Sequence, residues 1–111
     1  FLCPTRAESF NIPGLEAKAC GLMTIQTGYG GQTDYMVENT DLSISYDMTE
    51  VKWELAYEGI SWATPHIQSL RIHMRWCFNN PDEVNKRGNQ AAMEAKDWTW
   101  DKTANKIKEL I

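Results

Sequence analysis

Three short runs along the chain have the hydrophobic pattern of β-strands. Phe1–Cys3 is apolar and is ended by Pro4, and Met23–Thr27 is rich in β-branched residues and bounded by turn residues. In Leu42–Tyr46 apolar and polar residues alternate with a period of two, as in a strand with one covered face. The first half of the chain therefore predicts three strands.

Helical patterns separate these strands. The first runs from Pro13 to Cys20, with proline early in the helix, where its missing N–H costs nothing, and with Gly21 as the stop. After the second predicted strand, the flexible loop Gly28–Gly31 leads into a short helix from about Gln32 to Val37. Each predicted strand-to-strand connection thus contains a helix.

The second half of the chain predicts mainly helices. Residues from Asp47 to Ala63 have no clear period and predict an ordered loop anchored by the aromatic residues Trp53, Tyr57 and Trp62. Three helices are expected after it, beginning at Pro65 with Thr64 as N-cap, at Pro81 and after the N-cap Thr99. On the first of them, Ile67, Leu70 and Met74 share a face that we expect in the core.

Alternation of strands and helices is typical of a parallel sheet covered on both faces. The sequence therefore predicts an α/β fold: a partial, Rossmann-like parallel sheet of about three strands, with flanking helices and further helices at the C-terminus. One domain is the most that 111 residues support.

Two carboxylates, Glu8 and Glu16, bracket the junction of the first strand and the first helix, with seven residues between them. We expect Glu8 at the exit of the strand and Glu16 in the first turn of the helix. Backbone N–H groups at a helix start lack intrahelical partners and lie at the positive end of the dipole, so such a loop suits a phosphate. Carboxylates beside it would repel an anion unless they face hydroxyl groups, which points to a sugar nucleotide.

Simpler interpretations of these residues stay open. Glu8 could be a solvated loop acid, and Glu16 could stabilise the helix dipole. Gly30-Gly31 could be only a turn. Arg6, a tempting partner for a diphosphate, is better interpreted as surface charge.

Composition narrows the classes of partner. A net charge of −4 and a pI near 5.1 argue against nucleic acid. No apolar run approaches the ~20 residues that span a bilayer.

The three cysteines are widely spaced without a C-x-x-C pair, and we expect them reduced in a cytoplasmic protein. His66 and His73 have no third ligand nearby in the sequence, so no metal site is expected.

A longer motif contains the two glutamates. Residues 4–21 read Pro-Thr-Arg-Ala-Glu-Ser-Phe-Asn-Ile-Pro-Gly-Leu-Glu-Ala-Lys-Ala-Cys-Gly. This segment resembles the signature of group 1 (family four type) glycosyltransferases, in which an EX7E motif runs into Ala-Cys-Gly and is followed by a strand and a Gly-Gly loop. Here the strand is Met23–Thr27 and the loop is Gly30-Gly31. Trp62–Pro65 and Trp98–Trp100 resemble the tail of the same domain, so the resemblance covers essentially the whole chain.

The resemblance implies that the chain is the second half of the C-terminal, donor-binding domain of a GT-B enzyme. Glu8 would be the catalytic residue, facing hydroxyls of the transferred sugar, and Glu16 would accept hydrogen bonds from the ribose. The remaining donor-binding residues would be Ser9, Phe10, Asn11, Ile12, Gly30 and Gly31, those of the first loop acting through backbone amides. Ser9 and Asn11 replace two common glycines, and asparagine tolerates a left-handed conformation better than most residues.

The parent enzyme would transfer a sugar from a nucleotide-sugar substrate to a glycan or lipid-linked acceptor, as in polysaccharide biosynthesis. Transfer would be retaining, without a metal or other cofactor. Its N-terminal acceptor domain and its basic diphosphate clamp would lie upstream, so we expect the 111 residues alone to be inactive. The parent would be cytoplasmic or peripheral to the membrane. The open edge of Phe1–Cys3 predicts self-association or poor stability. A non-catalytic nucleotide-sugar-binding module and a structural α/β module remain as alternatives.

Overall fold

A computed structural model describes residues 1–52 and 59–111. Its elements are, in chain order, β1 (Leu2–Cys3), α1 (Ile12–Ala19), β2 (Thr24–Thr27), a 3-10 helix (Gly31–Asp34), β3 (Asp41–Ile44), β4 (Tyr46–Glu50), β5 (Ser61–Pro65), α2 (Ile67–Asn79), α3 (Pro81–Ala95) and α4 (Trp100–Leu110). The predicted α/β fold is confirmed. Three parallel strands form a sheet that helices flank, and the last three elements of the chain are helices.

The parallel sheet has the strand order β1-β2-β3. Leu2 pairs with Ile25, and Thr24 pairs with Asp41. All four residues of the central strand β2 are buried, so both faces of the sheet are covered there. Among the described residues, β1 pairs with a strand on one side only, and the expectation about its open edge stays a prediction.

Helices α1 and α3 pack against each other, while α2 packs on β3. Gly88 of α3 lies so close to the carbonyl oxygen of Gly21 that a Cβ at position 88 would clash with it. Ala91 and Ala95 continue this buried face. Small side chains therefore let α3 reach the end of α1. Of the helices that the structure describes, none is long and apolar enough to cross a membrane.

The prediction of a loop from Asp47 to Ala63 was wrong at both ends of that stretch. β4 and β5 form an antiparallel pair there, with Tyr46 opposite Pro65 and Glu50 opposite Ser61. The alternation of apolar and polar residues continues from Tyr46 through Met48 to Thr49, so β4 had a strand signal that the prediction missed. Pairing with β5 stabilises the strand. Trp62 is half-buried under the Arg6 guanidinium, 4.7 Å from the ring centroid, whereas Trp53 and Tyr57 lie outside the described residues.

The predictions for α2 need two corrections. The helix begins at Ile67 with His66 as its N-cap, because Pro65 belongs to β5. None of its residues is buried, and the side chains of Ile67 and Met74 are 62% and 48% exposed, so their assignment to the core was wrong. An apolar stripe identifies the face of a helix that suits burial, and burial itself needs a second element. By contrast, the prediction that Thr99 caps α4 is confirmed, since its hydroxyl accepts the N–H of Lys102.

Candidate functional site

The loops that follow β1 and β2 meet directly. The N–H of Gly31 donates to the carbonyl oxygen of Glu8 at 3.2 Å. A Cβ at Gly31 would clash with the carbonyl of Ser9, and one at Gly30, whose φ is 94°, would lie 2.7 Å from the carbonyl oxygen of Glu8. The two glycines therefore allow the contact. Both loops leave the carboxyl edge of parallel strands, where ligands of such sheets bind.

An open depression of about 730 Å³ lies where these loops meet. Its lining residues are Ala7, Glu8, Ser9, Tyr29 and Gly30. Glu8 is half-buried, and its carboxylate has no hydrogen-bond or ion-pair partner within the part of the chain that the structure describes. Tyr29 packs against Tyr46 with ring centroids 5.4 Å apart. The depression thus combines a free carboxylate with an aromatic side chain, the chemistry that binds a sugar ring and its hydroxyls.

Backbone donors are available at the start of α1. Within residues 1–52 and 59–111, the N–H groups of Ser9, Phe10, Asn11 and Ile12 meet no acceptor. Asn11 is the N-cap, in a left-handed conformation with φ 61° and ψ 64°. Its carbonyl accepts the N–H of Gly14 at 3.0 Å. The free amides lie at the positive end of the helix dipole, so this loop can hold an anion.

Glu16 occupies a different place from the one predicted. α1 begins at Ile12, so Glu16 is its fifth residue and lies just beyond the first turn. The prediction of a first-turn carboxylate was therefore wrong. Its side chain is exposed and lies outside the depression lined by Glu8. Glu8 and Glu16 therefore do not line the same depression. The role of Glu16 in binding the ribose stays a prediction.

The other residues of the first loop divide between packing and exposure. The Phe10 ring turns inward, 5.3 Å from the Tyr35 ring and 5.6 Å from the Trp98 ring. The ring thus packs within the protein, and the backbone N–H of Phe10 is left free for a ligand by the residues that the structure describes. Asn11 is buried, while Ile12 is exposed. Trp98 anchors the segment before α4 to this loop.

Sequence reasoning missed a buried polar cluster beneath the loop. Lys18 is 1% exposed, and its ammonium group pairs with Asp41 and, at 3.2 Å, with Glu94. The same group donates to the carbonyl oxygen of Tyr35 at 3.0 Å. Thr24 donates to the second oxygen of Asp41 at 2.6 Å. The cluster thus connects α1, β2, β3 and α3.

A chain of hydrogen bonds extends this cluster to the N-cap of α1. Gln26 donates to Thr24 at 2.7 Å and accepts from the Asn11 side chain at 2.7 Å. The Tyr35 hydroxyl donates to the Asn11 carbonyl at 2.9 Å, and burial raises the pKa of Tyr35 to about 12. One signal was present in the sequence: polar residues 24 and 26 share one face of the predicted strand Met23–Thr27.

The two histidines bind neighbouring groups. His66 Nε2 lies 2.9 Å from Asp47, and its Nδ1 lies 3.0 Å from the Ser45 hydroxyl. His73 Nε2 lies 3.0 Å from the carbonyl oxygen of Ser43. Both tie α2 to the strands before it. They therefore have a structural explanation.

Comparison with known proteins does not identify a function, so the geometry of the site has to support one. No protein-family model, no curated protein and no solved structure matches this chain.

Proposed function

We propose that this chain is the donor-binding domain of a glycosyltransferase. Its full-length parent transfers a sugar from a nucleotide sugar to a glycan or lipid-linked acceptor. One observation carries the proposal: the Gly31 N–H bonds to the Glu8 carbonyl. This contact joins the two loops that the glycosyltransferase resemblance assigns to the donor, although they lie more than twenty residues apart in the sequence.

The chemistry of the two loops supports the same conclusion. In sugar transfer, the bond from the anomeric carbon to the diphosphate breaks and one to the acceptor oxygen forms, so negative charge develops on the diphosphate. Fixed N–H groups at Ser9–Ile12 stabilise that charge, a contribution on the order of several kcal/mol in an enclosed site. The Glu8 carboxylate, free of protein partners within the described residues, accepts hydrogen bonds from sugar hydroxyls.

Binding is tested by titrating the isotopically labelled chain with UDP or GDP and following its amide resonances. We expect resonances of Ser9–Ile12 to shift with one of the two, because these free amides meet the diphosphate, and resonances of Gly30 and Gly31 to shift with them, because the Gly31 N–H bonds to the same loop. Uridine and guanosine, which lack the diphosphate, serve as controls and should leave Ser9–Ile12 unmoved. Unchanged resonances throughout residues 8–16 at millimolar UDP and GDP would overturn the proposal.

Transfer is tested in the full-length parent with Glu8→Gln. We expect a fall in kcat of about a hundredfold, because the amide cannot replace the charge of the carboxylate beside the reacting sugar. Glu109→Gln on the exposed helix α4 is the matched control and should retain full activity. A parent that binds the nucleotide but never transfers sugar would identify the non-catalytic alternative.

A further inference from the structure

We infer that Gln26 and Tyr35 are positioning residues that hold the anion-binding loop in its active shape by fixing Asn11. The inference rests on the proposed function for the identity of the ligand. The geometry behind it concerns this chain alone. It assigns a role to a buried pair that makes no contact with the depression itself.

The left-handed backbone conformation of Asn11 needs support from neighbouring residues. Among the described residues, it is the one residue other than glycine with a positive φ. A left-handed conformation costs a non-glycine residue about 1 kcal/mol or more, so it persists where neighbouring contacts hold it. Here the neighbouring contacts come from beneath the loop.

Both halves of Asn11 are held. Its side-chain Nδ2 donates to Gln26 Oε1 at 2.7 Å, and its carbonyl accepts the Tyr35 hydroxyl at 2.9 Å. The hydroxyl also lies 3.0 Å from Gln26 Oε1, so the two supporting side chains fix each other. All three residues are buried, which makes each lost bond costly.

The first turn of α1 rests on the same pair. A Cβ at Gly14 would lie 2.6 Å from Gln26 Oε1 and would clash with the Tyr35 hydroxyl. Glycine at this position therefore lets the helix start sit directly on Gln26 and Tyr35. The N-cap and the turn after it are fixed together, and so is the direction of the amides on either side of Asn11.

Gln26 in turn is held from the other side. Its Nε2 donates to Thr24, whose hydroxyl bonds to Asp41 in the Lys18 cluster. The side chain therefore cannot rotate away from Asn11 without breaking a buried bond. Thr24 is the member of the cluster that contacts Gln26, so it is the residue that fixes Gln26 from below.

Tyr35→Phe tests the inference, because it removes one hydroxyl and leaves the ring that packs on Phe10. We expect UDP or GDP, whichever the unmodified chain binds, to bind about five- to tenfold more weakly. Without ligand, the Gly14 and Leu15 amides, which donate to the Asn11 carbonyl, should exchange their hydrogens faster. Thr40→Val is the matched control: it removes a buried hydroxyl from the Lys18 cluster, away from the loop, and should leave both readouts unchanged.

Asn11→Gly supplies a rescue. Glycine adopts a left-handed conformation without support, so Tyr35→Phe should weaken nucleotide binding less than about twofold in the Asn11→Gly background. This dependence on the residue at 11 separates positioning from general loss of stability. An equal loss in both backgrounds would contradict the inference.

Other outcomes are also decisive. If Tyr35→Phe binds nucleotide as the unmodified chain does, the inference fails and the proposed function stands. If Thr40→Val weakens binding as much, the effect is one of stability and the inference fails. If neither UDP nor GDP binds the unmodified chain, the proposed function fails, and the exchange of the Gly14 and Leu15 amides still decides whether Tyr35 holds the loop.

Discussion

A lysine lies in the interior of this protein and a phenylalanine lies on its surface. Lys18 is 1% exposed within the cluster beneath the candidate site, whereas Phe78 on α2 is 77% exposed. Residue type alone predicts the reverse in each case. The comparison shows that the partners supplied by the fold decide burial.

Lys18 is buried because its ammonium group donates to the carboxylate of Asp41, the carbonyl of Tyr35 and the hydroxyl of Thr40, and lies 3.2 Å from the Glu94 carboxylate. Several apolar residues of α2 are the opposite case, because their side chains are exposed. Ile72, Met74 and Phe78 line an open groove of about 950 Å³ that is formed by α2 and the residue after it. Among the described residues, no other element closes this groove.

The sharpest test of the comparison is Lys18→Met. It leaves Asp41 buried without its counter-charge, and we expect a loss of about 3–5 kcal/mol in the free energy of unfolding, measured by urea denaturation. Lys86→Met on α3 is the matched control, since Lys86 is 80% exposed and its ion pair with Glu83 is a surface pair. Its cost should stay below about 0.5 kcal/mol. A small effect of Lys18→Met would mean that the cluster does not hold the elements together.

A second pair of variants compares apolar positions. Ile44→Ala on β3 removes a fully buried side chain and should cost about 2–5 kcal/mol. Ile72→Ala on α2 removes an exposed one, and we expect a change within about 0.5 kcal/mol. Urea denaturation of both, at several protein concentrations, checks the prediction. A large, concentration-dependent cost at Ile72 would show that the α2 face is covered by self-association.

These two regions also mark how far sequence reasoning reaches. The parallel strands follow from local patterns: an apolar run at β1, a β-branched run at β2 and an alternating run at β3. The meeting of the Glu8 and Gly31 loops follows from the rule that parallel strands end at one edge. Lys18 depends on carboxylates 23 and 76 residues away, and no local period encodes such a contact. The β4–β5 pair depends likewise on cross-strand contacts, such as the 2.6 Å bond between the Thr49 and Thr64 hydroxyls.

The left-handed conformation of Asn11 could be predicted from the sequence only in part. Its replacement of a common glycine in the resembled motif was visible in the sequence, and asparagine is the residue type that tolerates a left-handed backbone. What the sequence did not reveal is the support from Gln26 and Tyr35. That support comes from two different segments, β2 and the end of the 3-10 helix, which only the folded sheet brings together.

The smallest expected effect concerns the phenol of Tyr35, which is 2% exposed. Burial raises the pKa of Tyr35 from its ordinary value of 10 to about 12. Below pH 10 the phenol is neutral in both states; between pH 10 and 12 the unfolded chain ionises first, so stability falls as pH rises through this window. We expect Tyr35 to contribute at most about 2 kcal/mol of that fall.

Tyr35→Phe isolates this contribution, because it removes this one hydroxyl and leaves every other ionisable group of the chain in place. The free energy of unfolding of Tyr35→Phe should decline less steeply from pH 10 to 12 than that of the unmodified chain, while the two curves run parallel below pH 10. If the Tyr35→Phe curve were as steep as the original, the hydroxyl would be as accessible to water as a surface phenol. Water would then reach the Tyr35 hydroxyl as it reaches the exposed side chains of α2. The buried region and the exposed region would no longer differ at the residue that supports the candidate site.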